Sequence, residues 1–388
     1  MDGPASMGVI TCLAELGVPL IGVDFTTHRN YAFKSRFLKQ MVILRKDEDL
    51  LRLPMAGITG SVLVPVNDRF VAMTSRMKPH LSRHFRVFTP GERVIENCVD
   101  KWMQYRSATS LGIPTPETYC PQNKGELERL LESKLSAKGS WVVKPRSRLP
   151  EHFSHGVFGN KKAILARNPN QIREICAAVY EEKGVYPLIQ EFVSGHSATK
   201  VVVNVFLDED GNALRSMSER KIRSFPPEFG AGSLFETCYE PSLIELAIRF
   251  YQGVGFYGQG NVEFIFDNED KKFKLNEVNP RFNPGVMAHK ACGFNSPVIF
   301  YERCLGRTVA PRFDYPMGIR SVSAGDVIGI WQNRRQTGLR EPIVDMITNL
   351  MRIRNFECFS PRDPVPLVGF LLSRCSDAFR ILNARRQP

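Results

Sequence analysis

Apolar and polar positions along this chain fall into runs of two periods. Residues 7–18 (MGVITCLAELGV) carry apolar groups at helical spacing up to Gly17. The run Pro19 to Asp24 then has strand length. Ser61 to Val66 is a second apolar run, stopped at Asn67-Asp68. A helical pattern over 94–111 ends in Leu111-Gly112-Ile113-Pro114-Thr115-Pro116, which reads as a hinge-like loop. Trp141-Val142-Val143-Lys144-Pro145 predicts a strand stopped by proline, 169–183 a helix opened by Pro169, and Tyr186 to Phe192 a strand. Val201 to Leu207 pairs with Ala213 to Glu219 across Asp210-Gly211. Residues 241–252 are helical behind Pro241, and Asn261 to Phe266 pairs with Phe273 to Asn279 across the polar run Asp267 to Lys272. The pattern turns more helical after about 310, and no internal repeat is present.

This rhythm predicts an α/β N-terminal part and an α+β body. The chain opens on a helix with no strand before it, so the expectation is either a reduced N-terminal sheet or a chain begun downstream of its usual start. At 388 residues there is room for two or three domains, and 43% hydrophobic with 24% charged residues is globular composition. The net charge of +12 attracts polyanions. The basic residues are spread along the chain without zinc-finger spacing or an RNA-binding aromatic box, so no nucleic acid is expected as a partner. The nine cysteines include no CxxC pair, which points to reduced thiols and not to a zinc site or disulfide frame. No basic region precedes the first apolar run, which Glu15, Gly17 and Pro19 interrupt, and no apolar run reaches 18 residues. A cytoplasmic protein without signal peptide or transmembrane segment is the expectation. Arginines 352, 354, 362, 374, 380, 385 and 386 flank apolar stretches near the end, where a helix capping the body is expected over one lying on an anionic surface.

Chemistry concentrates in the second hairpin. Glu263 interrupts an apolar strand, and Glu277 and Asn279 lie in its partner. With the turn centred on Asp270, Glu263 faces Glu277 and Asn279 shares their side, because strand side chains alternate. Two opposed carboxylates repel unless a cation lies between them, and oxygen donors beside phosphate suit Mg²⁺. Arg281 is two residues further on and suits a phosphate or carboxylate. Lys144 ends its strand just before proline, at the edge of a core. Residues 154–162, with Ser154, His155, Gly156 and Gly159, read as a polar loop able to turn backbone N–H groups toward phosphate, although no Walker A pattern is present. An ordinary surface hairpin is the plainer reading of that loop, and a solvated sheet face is the plainer reading of the carboxylates. No Cys-His pair or GxSxG elbow supports nucleophilic catalysis.

In their order and spacing these segments resemble the ATP-grasp superfamily, in particular its carboxylate–amine ligase branch, which includes D-aspartate ligase and is more distantly related to the carbamoyl-phosphate synthase large chain. The likeness covers roughly residues 3–310, and the tail around Phe359-Ser360-Pro361-Arg362-Asp363 resembles the same branch. It implies an ATP-grasp fold with a reduced Rossmann-like pre-ATP-grasp domain at 1–93, a first grasp lobe at 94–195, a second at 196–310 and a helical C-terminal extension at 311–388. It further implies ATP as cofactor with Mg²⁺, for which Mn²⁺ substitutes. Lys101 and Lys144 then match nucleotide lysines, His155, Gly156 and Gly159 the phosphate loop, and Glu191 and Val193 the segment that reads adenine. Glu263, Glu277 and Asn279 match the metal ligands, and Arg281 the arginine at the reacting phosphate. Lys221 and Arg223 match a basic segment facing triphosphate or substrate, and Gly230 to Ser233 a backbone loop near the acceptor. At His196 many relatives carry an acidic residue that holds ribose.

The resemblance implies a ligase that activates a carboxylate as an acyl phosphate and couples it to an amine, releasing ADP and phosphate. Its partners would be a small carboxylate and a small amine, with an amino acid as one of them, and a homodimer is the default assembly. The alternatives are an ATP-grasp enzyme of other acceptor chemistry and a nucleotide-binding protein without turnover. Acidic groups near Glu236 and the imidazole of His289 are the candidates for the base.

Overall fold

The computed structural model describes residues 3–26, 31–135, 140–159, 161–193, 199–225, 230–323, 326, 353–356, 360 and 362–369. His196, Asn160, residues 226–229, Phe359, Pro361 and most of the C-terminal arginines therefore lie outside the described residues. The chain divides into two units. One comprises Met1–Thr89, Ser233–Thr237 and Arg281–Pro388, the other Pro90–Gly232 and Cys238–Pro280.

The first unit opens with helix α1, Pro4–Ala14, which has proline in its first turn and ends before Gly17 in the left-handed region (φ 70°). The helix thus starts three residues before the expected position. Strand β1, Leu20–Asp24, pairs in parallel with β2, Leu38–Ile43. The apolar pattern does not reveal β2, because Lys39, Gln40, Met41 and Ile43 are all exposed. The run expected at 61–66 shrinks to β3, Val62–Leu63, followed by α2, Asp68–Arg76, whose cap Asn67 accepts the Phe70 N–H at 2.9 Å. A short helix α3, Lys78–Leu81, leads to β4, Arg86–Val87, which lies parallel to β3.

In the second unit the helical pattern over 94–111 is two helices, α4 (Glu92–Val99) and α5 (Lys101–Ser110). Asp100 separates them: it is extended (ψ 114°), and its carboxylate caps α5 by accepting the Trp102 N–H at 2.8 Å. Then come β5 (Thr118–Tyr119), α6 (Lys124–Ser133), β6 (Trp141–Lys144), α7 (His155–Phe158), β7 (Ile164–Ala166), α8 (Pro169–Lys183) and β8 (Leu188–Glu191). The four strands form an antiparallel sheet in the order β5-β8-β6-β7. Its core includes Leu127, Leu131, Trp141, Phe158, Ile172 and Ile189, each contributing on the order of 1.5–3 kcal/mol by burial.

Four longer antiparallel strands follow: β9 (Lys200–Leu207), β10 (Ala213–Phe225), and the hairpin partners β12 (Gly258–Asp267) and β13 (Lys272–Asn279), side by side in the order β13-β12-β9-β10. Between β10 and β12 run β11 (Ala231–Cys238) and helix α9 (Pro241–Val254). Residues 230–233, expected as a loop, are thus mostly strand. Gly260 on β12 is obligatory for packing, since a Cβ there would come within 2.4 Å of the Tyr251 ring of α9.

The first unit resumes with α10 (Val286–Ala291) and α11 (Ser296–Cys304). The expected helical extension contains, among the described residues, strands β14 (Arg320–Val322) and β15 (Ile353–Phe356), with Asp326 and 365–369 helical. No helix among the described residues is long and apolar enough to cross a membrane.

Candidate active site

The β12–β13 hairpin turns at 268–271, and its register sets Glu263 opposite Glu277 and Asn261 opposite Asn279. This is the pairing that a turn centred on Asp270 dictates. Just beyond Glu263 the register shifts, so that Asn276 is the extra residue of a β-bulge. β9 and β10 continue the rows: Glu263 pairs with Val202, which pairs with Glu219, while Asn261 pairs with Asn204, and Lys200 with Lys221. Opposed residues share a face, so Glu219, Glu263 and Glu277 stand in one row and Asn204, Asn261 and Asn279 in the next.

The opposed carboxylates do not face each other unaided. Lys221 Nζ donates to Glu263 Oε2, Lys200 Nζ lies 3.7 Å from Oε1, and Asn276 Nδ2 donates to that same Oε1 at 2.5 Å. Lys101 Nζ donates to Glu277 Oε1 at 2.9 Å. The expected bridging cation therefore has competitors in the chain's own ammonium groups.

Each lysine is placed by its element. Lys101 is the first residue of α5, directly after the capping Asp100, and its backbone N–H donates to Arg146 O at 2.7 Å. Arg146 in turn donates through Nε to Asp100 at 2.9 Å, tying the helix start to the segment after β6. Lys144 is the last residue of β6 and is buried. Its Nζ donates to Tyr105 Oη at 3.2 Å and to Asn276 Oδ1 at 3.5 Å, and Tyr105 Oη donates to Asn276 O at 2.6 Å. Gln104 secures the hairpin edge: Nε2 donates to Val278 O (3.0 Å) and Oε1 accepts from Val278 N (3.2 Å).

Electrostatics follow from burial and charge. Burial alone raises the Glu263 carboxyl, but Lys221 and Lys200 more than reverse this and hold it at about 2. Burial opposes ionisation of Glu277 too, yet Lys101 and Lys162 hold it well below the usual carboxylate range. Lys144 is lowered to about 8, first by burial and then by repulsion from Lys101. Burial pushes Tyr105 up to about 12. Five ammonium groups, Lys101, Lys144, Lys162, Lys200 and Lys221, thus act on a row of three carboxylates, Glu219, Glu263 and Glu277. The surplus is positive, which suits a polyanion.

Among the described residues no group of three or more His, Cys, Asp and Glu is arranged to hold a metal ion. A cation here would have two carboxylates and the Asn279 carboxamide, whose Nδ2 donates to Asn261 Oδ1 at 3.2 Å. Mg²⁺ is commonly held by one or two carboxylates completed by phosphate and water, so the donor set fits it.

The other expected residues are placed as follows. Glu191 ends β8, where Oε1 accepts from Lys274 Nζ at 2.7 Å and its backbone N–H donates to Glu117 O at 2.8 Å. Val193 follows, half-buried. The 154–162 segment holds a turn of helix and not the open loop expected: Ser154 Oγ accepts the Val157 N–H at 3.1 Å and donates to Glu182. His155 is exposed, edge-on to Phe153 at 4.8 Å. Gly156 is exposed too, and Gly159 ends the turn at φ 53°. Arg223, two residues past Lys221, shares its face by strand alternation. Arg281 belongs to the first unit, where Nε donates to Asp68 Oδ1 at 2.6 Å. Glu236, a candidate base, is bound by Arg320 at 2.6 Å, and His289 is fully buried beside Phe294.

Lys200, Tyr105, Asn276 and Lys274 were not anticipated. Tyr105 had a signal, standing four residues after Lys101 on one helix face. Lys200 had one in the alternation Lys200, Val202, Asn204. Asn276 had none, because without the bulge its side chain belongs on the opposite face.

Residues 154–300 match the family model described as the carbamoyl-phosphate synthase L chain, ATP binding domain. The D-aspartate ligase of Enterococcus faecium (strain Aus0004) is 22% identical over 223 residues, which are 57% of this chain and 53% of that protein. The chain thus spans about half the length of this relative. Among solved structures, the biotin carboxylase domain of Hydrogenobacter thermophilus 2-oxoglutarate carboxylase, in complex with MgADP, ADP and bicarbonate, aligns with a TM-score of 0.63 at 14% identity, covering 82% of this chain and 72% of that one. N5-carboxyaminoimidazole synthetase from Staphylococcus aureus, complexed with ADP, gives 0.61 at 11% identity, covering 82% and 79%. The L-amino acid ligase from Bacillus licheniformis gives 0.59 at 15%, covering 78% and 72%.

Proposed function

We propose that the chain is a member of the ATP-grasp superfamily and an ATP-dependent carboxylate–amine ligase that proceeds through an acyl phosphate and releases ADP and phosphate. The observation that carries this reading is the opposition of Glu263 and Glu277 on one sheet face, enclosed by Lys101, Lys144, Lys200 and Lys221. Carboxylates suit a divalent cation, and the surplus of ammonium groups suits a triphosphate.

Glu263, Glu277 and Asn279 would hold Mg²⁺, or Mn²⁺ in its place; the ion supplies neutralisation of the charge on the transferred phosphoryl group. Lys144 and Lys101 orient the phosphates, and Lys221 keeps Glu263 ionised. Lys144 adds fixed positive charge where negative charge grows as the substrate carboxylate attacks phosphorus. Arg223 lies along the same strand face for a substrate carboxylate, and the turn at His155, Gly156 and Gly159 serves as the phosphate loop. The Glu191 carbonyl and the Val193 amide serve adenine. Within this reading 94–195 and 196–310 are the grasp lobes, with 1–93 before them and 311–388 after. The likeness to ligases that use amino acids favours an amino acid as one substrate. We further place the protein in the cytoplasm, in keeping with the free thiols of its described cysteines, and expect a homodimer.

The test is a screen of acid and amine pairs for ADP and phosphate release, with mass detection of the amide. Glu277→Gln should abolish release in any pair that supports it. Near-normal turnover of that variant would overturn the cation-site assignment.

A further inference from the structure

We propose that Asn276 is a positioning residue that keeps the phosphate-side ammonium of Lys144 from pairing directly with the cation-side carboxylate of Glu263. The inference rests on the nucleotide reading above and concerns a residue to which that reading gives no role.

The bulge between Glu263 and Phe264 inserts Asn276 into the hairpin as the residue without a cross-strand partner. Bulges next to functional sites re-aim one side chain, and this one turns a carboxamide into the charged cluster. The carboxamide has two ends, and each is committed to a different charge. Nδ2 donates to Glu263 Oε1 at 2.5 Å, while Oδ1 accepts from Lys144 Nζ at 3.5 Å. The orientation follows from the neighbours, since only the NH₂ end satisfies a carboxylate and only the oxygen satisfies an ammonium. The backbone is fixed as well, because Tyr105 Oη donates to Asn276 O at 2.6 Å.

A neutral group between the two charges has a specific consequence. Glu263 Oε2 is already engaged by Lys221, so Oε1 is the atom that decides whether Glu263 also captures Lys144. With Asn276 in place, the hydrogen bond to Oε1 comes from a neutral donor, with Lys200 Nζ 3.7 Å away, and an incoming cation can displace that donor without moving Lys144. An apolar residue at 276 removes both hydrogen bonds, leaving Lys144 with Tyr105 Oη and Oε1 with Lys200 at 3.7 Å, and nothing then separates Lys144 from Glu263. The pair that then forms withdraws one group from the phosphates and the other from the cation.

The experiment is calorimetric titration of the full chain with ADP, in excess Mg²⁺ and in EDTA, which needs no knowledge of the substrates. Asn276→Leu should reduce the enhancement of ADP affinity by Mg²⁺ by about tenfold or more, and Asn276→Gln should restore part of it. Thermal unfolding of each variant guards against simple misfolding. In Lys144→Met/Asn276→Leu the ammonium that Asn276 holds apart from Glu263 is gone, so the enhancement should recover relative to Asn276→Leu alone. A merely structural role predicts additive losses in this double variant. Additive losses, or an enhancement that Asn276→Leu leaves unchanged, overturn the role of Asn276 alone. A wild-type chain whose ADP affinity is indifferent to Mg²⁺ overturns the nucleotide reading and this inference with it.

Discussion

Replacing Lys221 with methionine removes the charge on which Glu263 depends while keeping most of the side-chain volume. Lys221 is 3% exposed and Glu263 8%, so solvent screens little of the pair. Burial raises the Glu263 carboxyl; Lys221 and then Lys200 bring it from 4.5 to about 2. That depression corresponds to about 3 kcal/mol of preference for the ionised native state. A carboxyl depressed on folding stabilises the fold fully above its unfolded value of 4.5, and the contribution fades as pH falls toward 2. In Lys221→Met, Lys200 and then Lys162 are left to oppose burial and the charge of Glu277, and the carboxyl returns toward its ordinary range. The variant should therefore lose about 3 kcal/mol of unfolding free energy near neutral pH, with the deficit shrinking to about 1.5 kcal/mol near pH 3. Urea unfolding followed by tryptophan fluorescence reads this, because Trp102 and Trp141 both belong to the unit that carries the pair. Lys221→Met/Glu263→Gln, which removes both charges, should recover most of the loss. A deficit equal at both pH values, or none at neutral pH, would refute the electrostatic account.

Two further outcomes follow from the same geometry. Lys144 loses its proton at about 8 in the free protein, so kcat/KM for ATP should fall as pH rises through that value, and Lys144→Arg, charged throughout, should flatten this limb even at a lower overall rate. Gly260→Ala places a Cβ within 2.4 Å of the Tyr251 ring and should cost about 1–3 kcal/mol in thermal or urea unfolding, whereas Gly91→Ala, where a Cβ meets nothing, should cost far less.

What the sequence by itself determined was local in origin. The helix at 169–183 was readable from its proline start and apolar spacing, and the structure has it at Pro169–Lys183. The hairpin pairing was readable because a polar turn between two alternating strands leaves few ways to pair them, and Glu263 does stand opposite Glu277, with the bulge at Asn276 supplying the last residue of that register. Lys101, Lys144 and Lys221 could be named through their resemblance to a family, although nothing in their spacing brings them together. Tertiary structure decided the rest. The helix expected over 94–111 broke at Asp100, because that carboxylate caps α5 and is held by Arg146, a residue remote in sequence. Strand β2 went unseen because exposed residues carry no burial pattern. The partners of the two carboxylates come from α5, β9 and β10, elements that meet only when the sheet assembles. The bulge at Asn276 left no trace in the sequence, because one extra residue in a ladder is defined only against the strand beside it. Alternation assigns a side chain to a face, and pairing between distant strands decides which charges share that face.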